Sequence, residues 1–249
     1  MELDFTGVTV AVGGAASAIG QAIASAFAAA GGRVFCADRS PLDSWPSLPD
    51  GVEKAEVDLG EAGAVDGWIK GVEATGGPVG ILVNNAGGVT GQTSAPIELV
   101  SDADWQEIMH ANLTTCFNLS RAVVPGMKEA GRGVIVNIGS GASERASLTG
   151  IQAYCSAKHA VLGLTRQLAH ELGPFGIRVN CIAPGFIISN AATERQWSAL
   201  GEAGQQALLQ SIALRRLGQP VDIANAVLLI ASEYAGFISG EIISVNGGR

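Results

Sequence analysis

Charged and aromatic side chains are both sparse. Asp, Glu, Lys and Arg make up 15% of the 249 residues, and Phe, Trp and Tyr 5%. With 47% hydrophobic residues, so little charge excludes a disordered or solvating chain and points to a large buried core. Basic residues are the scarcer sign, 15 Lys and Arg against 23 Asp and Glu, for a net charge of −8. That balance argues against nucleic acid or an anionic membrane surface as a partner. No apolar run approaches the roughly 20 residues that a membrane-spanning helix needs. The opening Met1-Glu2-Leu3-Asp4-Phe5 is acidic, so no signal peptide is expected. Cys36, Cys116, Cys155 and Cys181 form no CxxC pair, and His110, His159 and His170 form no ligand cluster. No metal site is therefore expected, and the thiols read as reduced core residues of a cytoplasmic protein.

Glycine, by contrast, is abundant: 34 residues with no fixed repeat, which suggests many tight turns between elements. Apolar, β-rich runs recur at Val8–Gly13, Arg33–Ala37, Glu53–Val57, Ile81–Asn84, Gly133–Ile138, Arg178–Ile182 and Glu241–Val245. Helical patterns fall between them near 18–30, 62–75, 102–129, 151–172 and 221–232. Runs this apolar, alternating with helices, read as parallel strands buried on both faces. The expectation is one domain over residues 1–249: a doubly wound, Rossmann-type three-layer α/β sandwich with a seven-stranded parallel sheet. The stretch 186–214 breaks the alternation and is read as a substrate flap, with a surface helical hairpin of no function as the competing reading.

The first strand runs into Gly13-Gly14-Ala15-Ala16-Ser17-Ala18-Ile19-Gly20 and then directly into a helix. Such a turn lets the backbone approach a pyrophosphate, and the helix start offers free N–H groups. Gly14, Ser17, Ala18, Ile19 and Gly20 are the candidate phosphate residues. Asp38 ends the second strand, 18 residues beyond Gly20. A carboxylate there accepts from the adenosine ribose hydroxyls and repels the extra phosphate of NADP. No Lys or Arg lies within 13–20 to counter that repulsion, although Arg39 follows directly. NAD is the expected cofactor. Asp58-Leu59, closing the third strand, is placed to reach the adenine edge, or else Asp58 caps the next helix. Asn84-Asn85-Ala86-Gly87 ends the fourth strand, with Asn85, Ala86 and Gly87 beside the cofactor or in an ordinary Asn/Gly turn.

Tyr154 and Lys158 stand four residues apart in a helical pattern, hence on one helix face. An ammonium beside a phenol favours the phenolate, which makes a tyrosine into an acid/base catalyst. With the Gly14–Gly20 turn, Asp38, Asn84–Gly87, Asn112, Ser140, Pro184-Gly185 and Val245-Asn246-Gly247-Gly248, the chain resembles the short-chain dehydrogenase/reductase family over essentially its whole length.

The resemblance implies a catalytic set of Asn112, Ser140, Tyr154 and Lys158. Tyr154 would exchange a proton with the substrate oxygen, and Ser140 would hold that oxygen. Lys158 would act on Tyr154 and hold the nicotinamide ribose, while Asn112 would hold a water leading from Lys158 to solvent. Pro184, Gly185, Ile187 and Ser189 resemble the loop that meets the nicotinamide carboxamide. The resemblance also implies a homotetramer. Two departures stand out: Gly13 replaces a usual threonine, and Ala18 a usual glycine. Alanine is strained at position 18 if the backbone there has positive φ, and harmless if it is helical. For a small-molecule alcohol or ketone substrate, the candidate contacts are Ser140, Gln152, Tyr154 and Trp197. Glu144 and Arg145 read as either pocket residues or a surface pair. Polar residues there suit a sugar or polyol. The leading reading is an NAD-dependent oxidoreductase of secondary alcohols and ketones. Its rivals are a 3-oxoacyl-carrier-protein reductase using NADPH and a non-catalytic, NAD-responsive binding protein.

Overall fold

The strands are β1 (Thr9–Gly13), β2 (Arg33–Asp38), β3 (Glu53–Glu56), β4 (Val79–Asn84), β5 (Gly133–Ile138), β6 (Ile177–Pro184) and β7 (Ile242–Val245). The helices are α1 (Ala18–Ala29), α2 (Ala62–Gly76), α3 (Asp102–Met109), α4 (Thr115–Ala130), α5 (Gln152–Leu172), α6 (Ala191–Ala199), α7 (Gly201–Ser211) and α8 (Pro220–Ala231). The structure, a computed structural model, describes residues 3–249; Met1 and Glu2, part of the leader reading, lie outside them. All described strands are parallel in one sheet of order β3-β2-β1-β4-β5-β6-β7. This is the seven-stranded, Rossmann-type arrangement that the alternation predicts.

Side-chain alternation along β1 shows how the sheet feeds two cores. Val10 and Val12 pack with Ile23 and Phe27 of α1 and Ile223 and Val227 of α8. Ala11 faces the other way, among Ile69 of α2, Leu119, Val123 and Met127 of α4, and Leu172 of α5. Period-2 alternation with both faces covered requires the apolar runs seen in the sequence. Cys36 belongs to the first of these cores, and Cys116 and Cys181 are also buried; burial pushes Cys36 and Cys116 up to about 12 and Cys181 up to about 11. They stay protonated at neutral pH and serve as small apolar side chains.

One polar seam crosses the second core. Asn84 Nδ2 donates to Asn137 Oδ1 at 2.8 Å and to Ser120 Oγ at 3.1 Å. Asn137 Nδ2 donates to Thr165 Oγ1 at 2.8 Å. The seam ties β4, β5, α4 and α5 together, and buried amides paired in this way specify one register. Strand order reverses between β1 and β4, and the cleft outside the carboxyl ends of their neighbours is where such folds hold ligands.

The sequence expectation differs from the structure in two places. The run 102–129 is not one helix but α3 and α4, separated by a π-helical turn at His110–Thr114. The third strand ends at Glu56, so Asp58 and Leu59 lie in the loop beyond it. The stretch 186–214 holds the two short helices α6 and α7.

Gly13 has a packing explanation. A Cβ there would stand 2.5 Å from Leu119 Cδ1 and 3.2 Å from Leu59 Cδ1. The leucines fill the volume that a side chain at position 13 would take. Gly13→Thr is expected to destabilise the protein by about 1–3 kcal/mol in urea unfolding through overpacking. In a Leu119→Ala background that penalty should shrink markedly; an unchanged penalty would rule out the packing explanation.

Candidate active site

The turn after β1 closes tightly against the end of β4. Gly14 has φ 77°, and a Cβ there would collide with the Ala86 backbone. Asn85 Nδ2 stitches the two loops, donating to Gly14 O at 2.7 Å and Ser17 Oγ at 3.0 Å. Ser17 caps α1, its Oγ accepting from Gly20 N at 3.2 Å. Ala18 is the first residue of α1 and has no positive φ, so the helical alternative holds and alanine fits without strain. Among the described residues, the Ala18 and Ile19 amides find no acceptor in the chain. They are the free donors expected at a helix start. Gly20 lies beneath the turn, with Gly14 O and Ala15 Cα around the place a Cβ would occupy.

Asp38 is held at the end of β2, where its Oδ2 accepts from Ala16 N at 3.2 Å. Its Oδ1 accepts from Ser40 N at 3.0 Å and Ser40 Oγ at 2.9 Å. The carboxylate is thus oriented before any ligand arrives, with Arg39 exposed beside it. Asp58 does not cap α2, whose N-cap is Glu61. Instead, its Oδ1 accepts from Gly60 N at 2.9 Å in a short loop turn.

Tyr154 and Lys158 project from the first turns of α5, with Lys158 Nζ 5.8 Å from the Tyr154 ring centroid. Lys158 is only 5% exposed, and Nζ donates to Ile138 O at 3.0 Å. Ser140 follows β5 in extended backbone, its Oγ accepting from Ala142 N at 3.1 Å. Asn112 is 1% exposed and sits in the π turn. Its Nδ2 donates to Ile108 O at 2.9 Å, four residues back, where the helical ladder would otherwise receive the Asn112 amide. Insertion of a side chain into that ladder is a recognised cause of such a break. The same amide group holds the β4 loop: Nδ2 donates to Gly88 O at 2.8 Å, and Oδ1 accepts from Gly88 N at 3.0 Å. Asn112 thus staples the π turn to the loop that passes Lys158.

A cleft of about 1080 Å³ joins these groups. Its wall takes in Gly14, Ser17, Ile19, Asp38, Asp58, Leu59, Asn85, Ala86 and Gly87 at one end. Ser140, Tyr154, Lys158, Pro184, Gly185, Ile187 and Ser189 line it at the other. Ala18, Gly20, Asn112, Gln152 and Trp197 are not on the wall. Gln152 Nε2 turns to Ala95 O at 2.9 Å. The Trp197 ring packs on Phe186, centroids 6.1 Å apart, and its neighbour Gln196 faces the cleft instead. Glu144 and Arg145 do not pair: Glu144 accepts from Ser244 Oγ at 2.8 Å, and Arg145 donates to Arg249 O at 2.8 Å. Thr90 from the loop after β4, Arg195 within the 186–214 stretch, and Arg249 also line the cleft. No spacing signal marks them, because they reach the cleft from three separate loops and helices.

Because Asn112 makes its chain hydrogen bonds to Gly88 and Ile108, Asn112→Ala should lose about 1–3 kcal/mol of stability. Amide exchange at Gly88 should accelerate sharply in that variant. Unchanged protection at Gly88 would show that the staple does not hold the loop.

The residues fit a nicotinamide dinucleotide on three local observations: the closed Gly14 turn with free amides, the oriented Asp38 carboxylate, and a buried Lys158 with one chain acceptor. Comparison with known proteins agrees. A family model described as enoyl-(acyl carrier protein) reductase matches residues 14–249. The (2S)-[(R)-hydroxy(phenyl)methyl]succinyl-CoA dehydrogenase subunit BbsD of Thauera aromatica is 39% identical over 244 residues, 95% of this chain and 94% of that one. The 3-oxoacyl-[acyl-carrier-protein] reductase FabG of Vibrio cholerae is 33% identical, covering 99% of this chain and 98% of its own. Among solved structures, a gluconate 5-dehydrogenase from Burkholderia cenocepacia, in complex with NADP and tartrate, superposes with a TM-score of 0.88 at 30% identity. That match covers 99% of this chain and 96% of the other.

Proposed function

This chain belongs to the short-chain dehydrogenase/reductase family, whose members oxidise alcohols or reduce ketones with a nicotinamide cofactor, and we propose that it uses NAD on a secondary alcohol and its ketone. The observation that carries the reading is one cleft with Asp38 at one end and Tyr154, Ser140 and Lys158 at the other. The turn at Gly14 and the Ala18 and Ile19 amides hold the pyrophosphate, Asp38 the adenosine ribose, and Lys158 the nicotinamide ribose. When bound, the nicotinamide supplies the hydride acceptor or donor. Ser140 Oγ donates to the substrate oxygen and fixes its position. Tyr154 Oη takes the hydroxyl proton in oxidation and returns it in reduction, with Lys158 stabilising the phenolate. The substrate is a hydroxylated small molecule, such as a sugar or polyol, facing Thr90, Gln196 and Asn190 rather than Gln152 and Trp197.

Asp38 favours NAD over NADP because its charge repels a 2′-phosphate. The carrier-protein reductase reading is disfavoured by the same residue and by a net charge of −8 facing an acidic carrier. Exposed Phe237, Tyr234 and Leu214 support assembly with further copies, up to the family's homotetramer. The chain works in the cytoplasm on this reading, consistent with four free cysteines, while no helix among the described residues is long and apolar enough to cross a membrane.

Tyr154→Phe should lower turnover by about 10²–10⁴-fold and leave the dissociation constant for NAD nearly unchanged. Wild-type turnover in that variant would exclude the proposed proton transfer. Asp38→Ala should shift the NAD:NADP ratio of kcat/KM toward NADP by about ten-fold or more. An unchanged ratio would remove Asp38 as the selecting group.

A further inference from the structure

Beside the reacting end of the cleft, positive charge collects in a chain that is acidic overall. Arg145, Arg195 and Arg249 line the cleft, whereas Glu107 is the acidic wall residue outside the Asp38–Asp58 end. Arg145 lies next to the chemistry: a Cβ on Gly141, the residue after Ser140, would stand 3.6 Å from its Nη2 and 3.8 Å from its Nε. Its Nη2 also donates to the main-chain oxygen of Arg249 at 2.8 Å, and Arg249 Nε donates to Ser211 Oγ at 2.9 Å. Ion pairs among the described residues are Lys128–Glu171 and Arg216–Asp222, so no Asp or Glu side chain neutralises any of the three arginines. Arg249 is half-buried; burial first, and then the like charge of Arg145, lower its pKa. Each of these two guanidinium groups makes one hydrogen bond among the described residues, which leaves most of its N–H donors for a bound anion.

We propose that the substrate handled by Ser140 and Tyr154 carries an anionic oxygen group, a carboxylate or a phosphate, gripped by Arg145 and Arg249. The word substrate rests on the oxidoreductase reading above; the anion site rests on the arginines alone. Each guanidinium offers a planar fork of donors matched to paired oxygens, and Arg195 on α6 adds field that draws anions to the mouth. Consecutive Cα atoms are about 3.8 Å apart, so an anion over Gly141 lies only a few bonds from a carbinol carbon held at Ser140. The ligand class is therefore a short hydroxy acid, its keto acid, or a phosphate ester of similar reach.

The test is calorimetric titration of the intact protein with malonate and, separately, with inorganic phosphate. Arg145→Gln, Arg249→Gln and a control, Lys70→Gln on the exposed face of α2, are titrated alongside, with thermal melts to confirm folding. The expected result is binding of at least one probe, weakened about ten-fold or more by each arginine substitution and unaltered by the control. Whichever probe responds identifies carboxylate or phosphate as the group recognised. No binding of either probe, or binding that the arginine substitutions leave unchanged, would overturn the proposal. NAD is titrated into the same proteins. Failure of NAD to bind would sink the oxidoreductase reading, while the malonate and phosphate results still decide the anion site.

Discussion

A nearly buried ammonium sets the terms for the rest of this site. Lys158 is 5% exposed, carries three N–H donors, and finds one acceptor among the described residues, Ile138 O. Removing a cation from water costs several kcal/mol unless charge and hydrogen bonding compensate it. A lone carbonyl compensates only in part. The side chain stays there because its helix is fixed from behind: Thr165 on α5 accepts from Asn137, which accepts from Asn84. Stability invested in that seam holds a group whose remaining donors serve a ligand, the usual balance between stability and activity at a functional site.

Parallel topology does the gathering. With every strand running the same way, the Gly14 turn, Asp38, Asn85, Ser140 and Pro184 all emerge at one edge of the sheet. The order reversal at β1 and β4 parts the crossing helices and leaves the cleft between them. Asn85 and Asn112 then fasten the loops to each other, so the cleft wall is joined by side-chain hydrogen bonds rather than by backbone pairing alone.

The fold was legible because buried parallel strands require apolar runs and their crossovers require helices, two periodicities that leave plain marks. The Gly14 turn, Asp38 and the Tyr154–Lys158 pair were legible for a related reason: each depends on spacing within one element or between consecutive ones. What escaped the sequence depends on distant partners. The π turn at Asn112 arises because one amide satisfies both Ile108 and Gly88, and helical periodicity carries no sign of that. Gln152 turns to Ala95 and Trp197 to Phe186, contacts 57 and 11 positions away along the chain. Gly13 reads only as the replacement of a usual threonine until Leu119 is seen to fill its place. The arginines converge from a loop, a helix and the segment after β7, which no window of sequence displays together.

Thermal melting of Lys158→Met, with and without NAD, bears most directly on the idea that a buried, under-paired ammonium organises the site. Methionine keeps the side-chain length and removes the charge. The expected result is a ligand-free variant at least as stable as the parent that no longer gains stability from NAD. A variant clearly less stable than the parent, yet stabilised by NAD to the same extent, would show that Lys158 supports the fold and not the cofactor site.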